Sequence, residues 1–215
     1  MQPDCLNDFL FSNANERKKL EQILSRKRPF PHNGISGILL YGTWGSGKST
    51  LAKLLPCLLE TSYSGSYDLK SDIGQMPAEP EGEVDAKLFR CGGGLNITKI
   101  SQQINQMNSY MPIYHHSKHD YFVFDEIDKL TIGAQQSLKT MMDLKRCMFF
   151  FSTNYLSKID EGIINRCILV EMNQITDPAA YLPLAKTWLK KMGVADDAVA
   201  DSVLISCAKD ARGSL

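Results

Sequence analysis

Lys48 and Ser49 stand near the end of a stretch, Gly42-Thr43-Trp44-Gly45-Ser46-Gly47-Lys48-Ser49-Thr50, that fits the spacing G-x-x-x-x-G-K-[ST] at every fixed position. Chemistry explains the spacing. Glycines let a backbone curl until successive N–H groups point inward at a phosphate. A helix starting at that point adds the positive end of its dipole. Lys48 is placed to reach the outer phosphates and Ser49 to hold Mg²⁺ through its hydroxyl. A second chemical pair, Asp125-Glu126, closes the run Tyr121-Phe122-Val123-Phe124 and lies 77 residues beyond Lys48. There Asp125 suits Mg²⁺, directly or through water, and Glu126 suits polarising an attacking water. Acids at a strand end that merely cap the next helix are the alternative. Asn154, after Cys147-Met148-Phe149-Phe150-Phe151-Ser152-Thr153, is an amide able to orient water or touch a terminal phosphate, or else a turn asparagine. Arg166 precedes Cys167-Ile168-Leu169-Val170 and reads on its own as a surface charge.

These residues need elements to position them. Ile38-Leu39-Leu40-Tyr41 reads as a buried strand ahead of the glycine loop, and Leu51, Leu54, Leu55 and Leu58 give the helical spacing behind it. Runs as apolar as Tyr121–Phe124 and Cys147–Phe151 fit strands covered on both faces, hence a parallel sheet whose ligands sit beyond its carboxyl ends. Lys87-Leu88-Phe89-Arg90 reads as a further strand, broken by Gly92-Gly93-Gly94, and Ile163–Val170 as another. Ile97, Ile100 and Ile104 predict a helix ending near Met111-Pro112. An earlier helix carries Leu20, Ile23 and Leu24, with Asn13 or Asn15 as its cap. Its clusters Arg17-Lys18-Lys19 and Arg26-Lys27-Arg28 are either a solvated face or phosphate contacts. The fold class is therefore α/β: a three-layer P-loop domain with a central parallel sheet over 1–174, followed by a small helical lid over 175–215 that is cut short.

The chain has 215 residues, 43% hydrophobic and 22% charged, with a formal net charge of 0. No global positive field advertises nucleic acid, so such binding needs a local patch. No secretory leader and no apolar run of membrane-spanning length are evident. Six scattered cysteines without C-x-x-C spacing argue against a zinc ribbon and for reduced, mostly buried thiols, hence an intracellular location, cytoplasmic or nuclear. Residues 61–86 are polar and acidic and read as a surface insertion that repels DNA. His115, His116 and His119 are either Zn²⁺ or Ni²⁺ ligands or part of a polar loop entering the next strand.

The order of motifs resembles AAA+ ATPases, and within them the clamp loaders of the replication factor C type. Gly42–Thr50 resembles their Walker A loop and Phe122–Glu126 their Walker B strand. Ala134-Gln135-Gln136-Ser137-Leu138-Lys139-Thr140-Met141-Met142 is similar to the clamp-loader helix A-Q-Q-A-L-R-R-T-M. Asn154 matches sensor 1, Asn165-Arg166-Cys167 resembles the S-R-C arginine-finger motif, and Asp210-Ala211-Arg212 resembles the sensor 2 pattern G-D-x-R. The resemblance implies ATP with Mg²⁺ bound between core and lid at a subunit boundary. It implies that Arg166 acts in trans on a neighbour's ATP, that Arg212 contacts the γ-phosphate from the lid, and that the partners are other AAA+ subunits, DNA and a sliding clamp. Three departures stand out. Arg90-Cys91-Gly92 replaces the family's Asn-Ala-Ser, whose asparagine restrains the catalytic glutamate. Lys99 is the main basic residue of the following helix, and Asn165 replaces a serine. The 215 residues stop before the collar domain with which clamp loaders assemble, so they are either a fragment or part of a protein that assembles differently. Helicase loaders, viral or phage replication ATPases and other AAA+ remodellers are the alternative reading, with a non-AAA nucleotide kinase behind them.

Overall fold

The computed structural model describes residues 3–65, 84–92, 95–110, 112–113, 115–195 and 199–210. Along it run α1 (Ala14–Leu24), β1 (Gly37–Tyr41), α2 (Lys48–Tyr63), β2 (Ala86–Arg90), α3 (Ile97–Asn108) and β3 (Asp120–Asp125). Then follow α4 (Ile132–Met141), β4 (Cys147–Thr153), the single turn α5 (Glu161–Ile164), β5 (Cys167–Glu171), α6 (Leu182–Lys191) and α7 (Asp201–Asp210).

The strands form one parallel sheet in the order β2-β3-β4-β1-β5. Its side chains alternate between two cores, as the period of a strand requires. Ile38, Leu40, Tyr121, Val123, Phe150 and Val170 pack with α1 and α2 on one face. Leu39, Phe122, Phe124, Phe149 and Phe151 pack with α3 and α4 on the other. Burying both faces explains why these strands read as unbroken apolar runs, and it makes the domain three-layered. The edge strand β2 is the exception, with Leu88 44% exposed. Because β1 lies between β4 and β5, the carboxyl ends of β1, β3 and β4 open into one crevice where the strand order reverses, the usual ligand position in such sheets.

Several expectations need correction. Ile163 and Ile164 belong to α5, because Asp160 caps that turn by accepting the Gly162 N–H at 2.8 Å; the strand starts at Cys167. Helix α2 runs on through Thr61 to Tyr63, so the polar segment does not begin at 61. Those side chains are polar yet internally satisfied: Thr61 Oγ1 donates to the Cys57 carbonyl and Ser62 Oγ to the Leu24 carbonyl. At its other end the segment stops short of Ala86, which opens β2; residues 66–83 of it, and Gly93-Gly94, lie outside the described residues. Asn13, not Asn15, caps α1, accepting the Asn15 N–H at 2.9 Å. In the basic clusters, Arg17 pairs with Glu21 and Lys19 with Glu16.

The histidine loop packs at the amino end of β3 and binds the main chain. Ring N–H groups of His115 and His119 donate to the carbonyls of His119 and Ser117, each at 2.6 Å. Among the described residues, the only group of three His, Cys, Asp or Glu side chains whose ligand atoms gather closely is Asp4, Cys5 and Asp8; the three histidines do not gather in this way, so the polar-loop reading describes them. The loop is anchored instead by Glu60 of α2, which is 2% exposed. Its carboxylate accepts the N–H groups of His116 (2.7 Å) and Ser117 (3.2 Å) and the hydroxyl of Tyr121. Burial and the neighbouring carboxylate push that phenol well above the usual tyrosine range. Glu60→Ala removes the acceptor these donors share, leaving the buried Ser117 N–H without it while Tyr121 keeps Ser117 Oγ at 2.8 Å, and we expect it to cost about 1–3 kcal/mol in urea unfolding, whereas Glu60→Gln retains part of the anchor.

Candidate functional site

Three glycines bend the loop after β1. Gly42 has φ +140° and lies so close to the next segment that a Cβ would meet the Met172 carbonyl oxygen at 2.2 Å. Gly47, at φ +84°, occupies the left-handed region just before α2. The first helical bond of α2 runs from the Leu51 N–H to the Gly47 carbonyl. The N–H groups of Lys48, Ser49 and Thr50 are therefore outside the helix's own ladder. Lys48 is buried, and its ammonium donates to the Thr43 carbonyl and, at 3.2 Å, to Ser46 Oγ. Burial draws it below the ordinary lysine range, against the pull of the Asp125 and Asp128 carboxylates.

Across the crevice, Ser49 Oγ donates to Asp125 Oδ1 at 2.6 Å. The same oxygen accepts the hydroxyl of Ser152 from β4, and Ser152 Oγ in turn accepts the Glu126 N–H at 2.9 Å. A hydroxyl and a carboxylate oxygen at this distance are the hard donors that Mg²⁺ prefers, so Ser49 and Asp125 fit the ion. Glu126 has φ +58°, a left-handed conformation that turns its side chain out of the strand. Its carboxylate forms an ion pair with Lys129. That lysine lies against the end of β2, since a Cβ built on Gly92 would stand 3.5 Å from Lys129 Cδ, an ordinary contact distance. Glu126 thus leans toward the end of β2. Asn154 stands on the opposite side of β3, just beyond β4, its N–H 3.4 Å from Asp128 Oδ1. Thr153 Oγ1 donates to the same Asp128 oxygen at 2.7 Å.

Behind the glycine loop lies an open cavity of about 230 Å³. The loop contributes Gly45, Ser46, Gly47 and Thr50 to its wall; the opposite side comes from Phe9 and Leu10 and from Ile175, Tyr181, Leu184 and Trp188. Sequence reasoning missed this lining. Its members come from the two ends of the chain, and an apolar residue there carries no motif. Ser152, Asp128 and Lys129 were missed as well, being ordinary polar residues beside a motif. Trp44, 61% exposed, stands edge-on to Tyr155 with ring centroids 5.4 Å apart, at the rim of the site.

The structure therefore brings Gly42–Thr50, Asp125, Glu126 and Asn154 to one end of the sheet, but not Arg166. Arg166 precedes β5 at the sheet's opposite end, where its guanidinium pairs with Asp143 at 2.8 Å and donates to the Gly162 carbonyl at 3.0 Å. Arg212 lies outside the described residues.

Residues 38–173 match the model of the ATPase family associated with various cellular activities, AAA. The chain belongs to this family. Relatives of this AAA chain include a probable replication factor C subunit 2 of Dictyostelium discoideum, 23% identical over 91% of this chain and 53% of that protein. Another is replication factor C subunit 4 of Saccharomyces cerevisiae, 28% identical over 81% of this chain and 47% of that protein. The chain spans about half the length of the curated relatives it matches. Among solved structures, the Thermotoga maritima RuvB Holliday junction branch migration motor superposes with a TM-score of 0.66 over 99% of this chain and 61% of its own, at 16% identity. C. elegans PCH-2 superposes at 0.59 over 96% and 60%, at 19% identity. These likenesses establish the P-loop AAA fold. Among the described residues, no helix is long and apolar enough to cross a membrane.

In this AAA site the fixed cation matters most to a phosphate. We expect Lys48→Ala to weaken nucleotide binding by about 100-fold or more, on the scale of charge-assisted bonds. Titration with a fluorescent ATP analogue measures it, and near-parental affinity would contradict the assignment of the loop.

Proposed function

We propose that this chain is the ATP-binding and ATP-hydrolysing part of a subunit of an oligomeric DNA-replication machine of the clamp-loader type. The observation that carries the reading is the Ser49–Asp125 hydrogen bond across the crevice, beside Lys48 in its glycine loop. The similarity to replication factor C subunits selects the clamp-loader type.

In this reading the N–H groups of the loop and of the first turn of α2 cradle the phosphates. Lys48 exchanges its loop acceptors for phosphate oxygens, and Ser49 and Asp125 hold Mg²⁺. The ion, when bound, offsets charge on the phosphate oxygens. Glu126 swings from Lys129 toward the terminal phosphate and takes a proton from the attacking water, while Asn154 orients that water or the phosphate itself. The cavity behind the loop takes the base and ribose. Arg166 is the finger offered to a neighbouring subunit's ATP, and Arg212 is the lid's contact to the γ-phosphate. Such an arginine in trans is worth about 10³–10⁵ in rate where it has been measured in GTPases. DNA and a sliding clamp are the partners, and the location is that of replication, cytoplasmic or nuclear.

Residues 1–174 serve as the nucleotide-binding domain and 175–215 as part of its lid. A helicase loader or other AAA remodeller shares all of this except the response to a clamp.

Two measurements test the reading. Glu126→Gln should keep ATP affinity within about threefold while slowing hydrolysis by about 10²–10⁴, the usual share of a general base; loss of binding would make Glu126 structural. The specific ATPase rate of the parent chain should climb with protein concentration and on addition of primed DNA with a clamp. In Arg166→Ala that climb should be lost. A flat specific rate would describe a self-contained NTPase instead.

A further inference from the structure

The lid helix α6 forms one wall of the cavity through Leu184 and Trp188, and Lys191 follows them on the same face at i+7 from Leu184. Leu184 and Trp188 of α6 are half-buried, and none of its side chains is fully buried. Its polar grip is specific. Lys191 Nζ donates to Asp4 Oδ1 at 2.8 Å and to both oxygens of Asp8 at 3.0 Å.

The Asp8 side chain is 1% exposed and lines the same cavity. Its carboxylate also accepts the Asp4 and Cys5 N–H groups, at 3.0 and 3.3 Å. Asp4, Cys5 and Asp8 gather as closely as metal ligands do, yet the cation among them is the lysine of the lid. Burial raises the Asp8 acid, but hydrogen bonds from Asp4 and Lys191 outweigh it and lower it to about 2. When α6 lifts, two acids lose their cation and one of them is buried. The residue after Asp8, Phe9, packs 3.4 Å from where a Cβ of Gly47 would stand, so the segment that receives Lys191 also touches the glycine loop.

We propose that Lys191 is a positioning residue that fastens α6 to the N-terminal segment across the base end of the cavity, so that it sets how long nucleotide stays bound rather than how fast it is cleaved. This rests on the nucleotide reading of the site. Breaking one partner of a desolvated charge pair acts mainly on dissociation.

The test uses the full chain, preloaded with N-methylanthraniloyl-ATP and chased with excess ATP in a stopped-flow instrument. Lys191→Met is expected to dissociate about tenfold faster, equivalent to about 1.4 kcal/mol. Its association rate and its turnover at saturating ATP should stay within about twofold of the parent, and Lys191→Arg should restore slow release. Circular dichroism checks that each variant is folded. A folded Lys191→Met with parental release overturns the proposal alone. A parent chain that does not bind the probe overturns the nucleotide reading and this proposal with it.

Discussion

One carboxylate oxygen joins three elements. Asp125 Oδ1 accepts hydroxyls from Ser49 at the start of α2 and from Ser152 near the end of β4. Each hydroxyl approaches from a different element, so the glycine loop, β3 and β4 are held in register at the one end of the sheet where side chains can converge. Neighbouring geometry follows from this. Ser152 fixes the Glu126 main chain, whose left-handed φ swings the carboxylate out of the strand. An apolar strand could not do this alone, because its alternation would send residue 126 into one of the two cores. The strained backbone at Glu126 is thus the means by which a buried strand ends in an accessible acid.

The same end of the sheet is polarised in two directions. Lys48 is held inside the loop, under the pull of Asp125 and Asp128, while Lys129 draws Glu126 toward β2. The pair at Lys129 is half-exposed and weak as a stabilising contact. Its importance is directional. Strand order places β2 and β4 on opposite flanks of β3, so a glutamate engaged with Lys129 points away from Asn154.

Much of this was legible in the residues, and what was not has a common cause. Strands covered on both faces announce themselves as apolar runs, and the glycine loop fixes its own conformation through sequence-local sterics, so β1, β3, β4 and the convergence of the glycine loop, Asp125, Glu126 and Asn154 at their carboxyl ends could be read directly. Ile163-Ile164 was misread because an apolar run has no period, and only the Asp160 cap separates the turn from the strand. Thr61 and Ser62 looked like loop because their hydroxyls bond carbonyls, a choice invisible without coordinates. The cavity was out of reach for a different reason. Phe9 and Trp188 meet only once the sheet has brought the chain's two ends together.

Arg166 shows how topology constrains chemistry. Its carbonyl accepts the N–H groups of Ser36 and Gly37, which fixes it at the amino end of the sheet beside the start of β1. The glycine loop leaves the other end of that strand. Five residues of strand separate the two, about 16 Å at roughly 3.3 Å per residue, which exceeds the reach of an arginine side chain. No rotamer brings the Arg166 guanidinium to a phosphate held by its own Lys48. If Arg166 takes part in cleavage, the nucleotide it meets is held by another subunit, and two molecules must be aligned with the amino end of one sheet facing the carboxyl end of the next. Such a head-to-tail contact is heterologous, so repeating it generates a ring or a spiral rather than a closed pair.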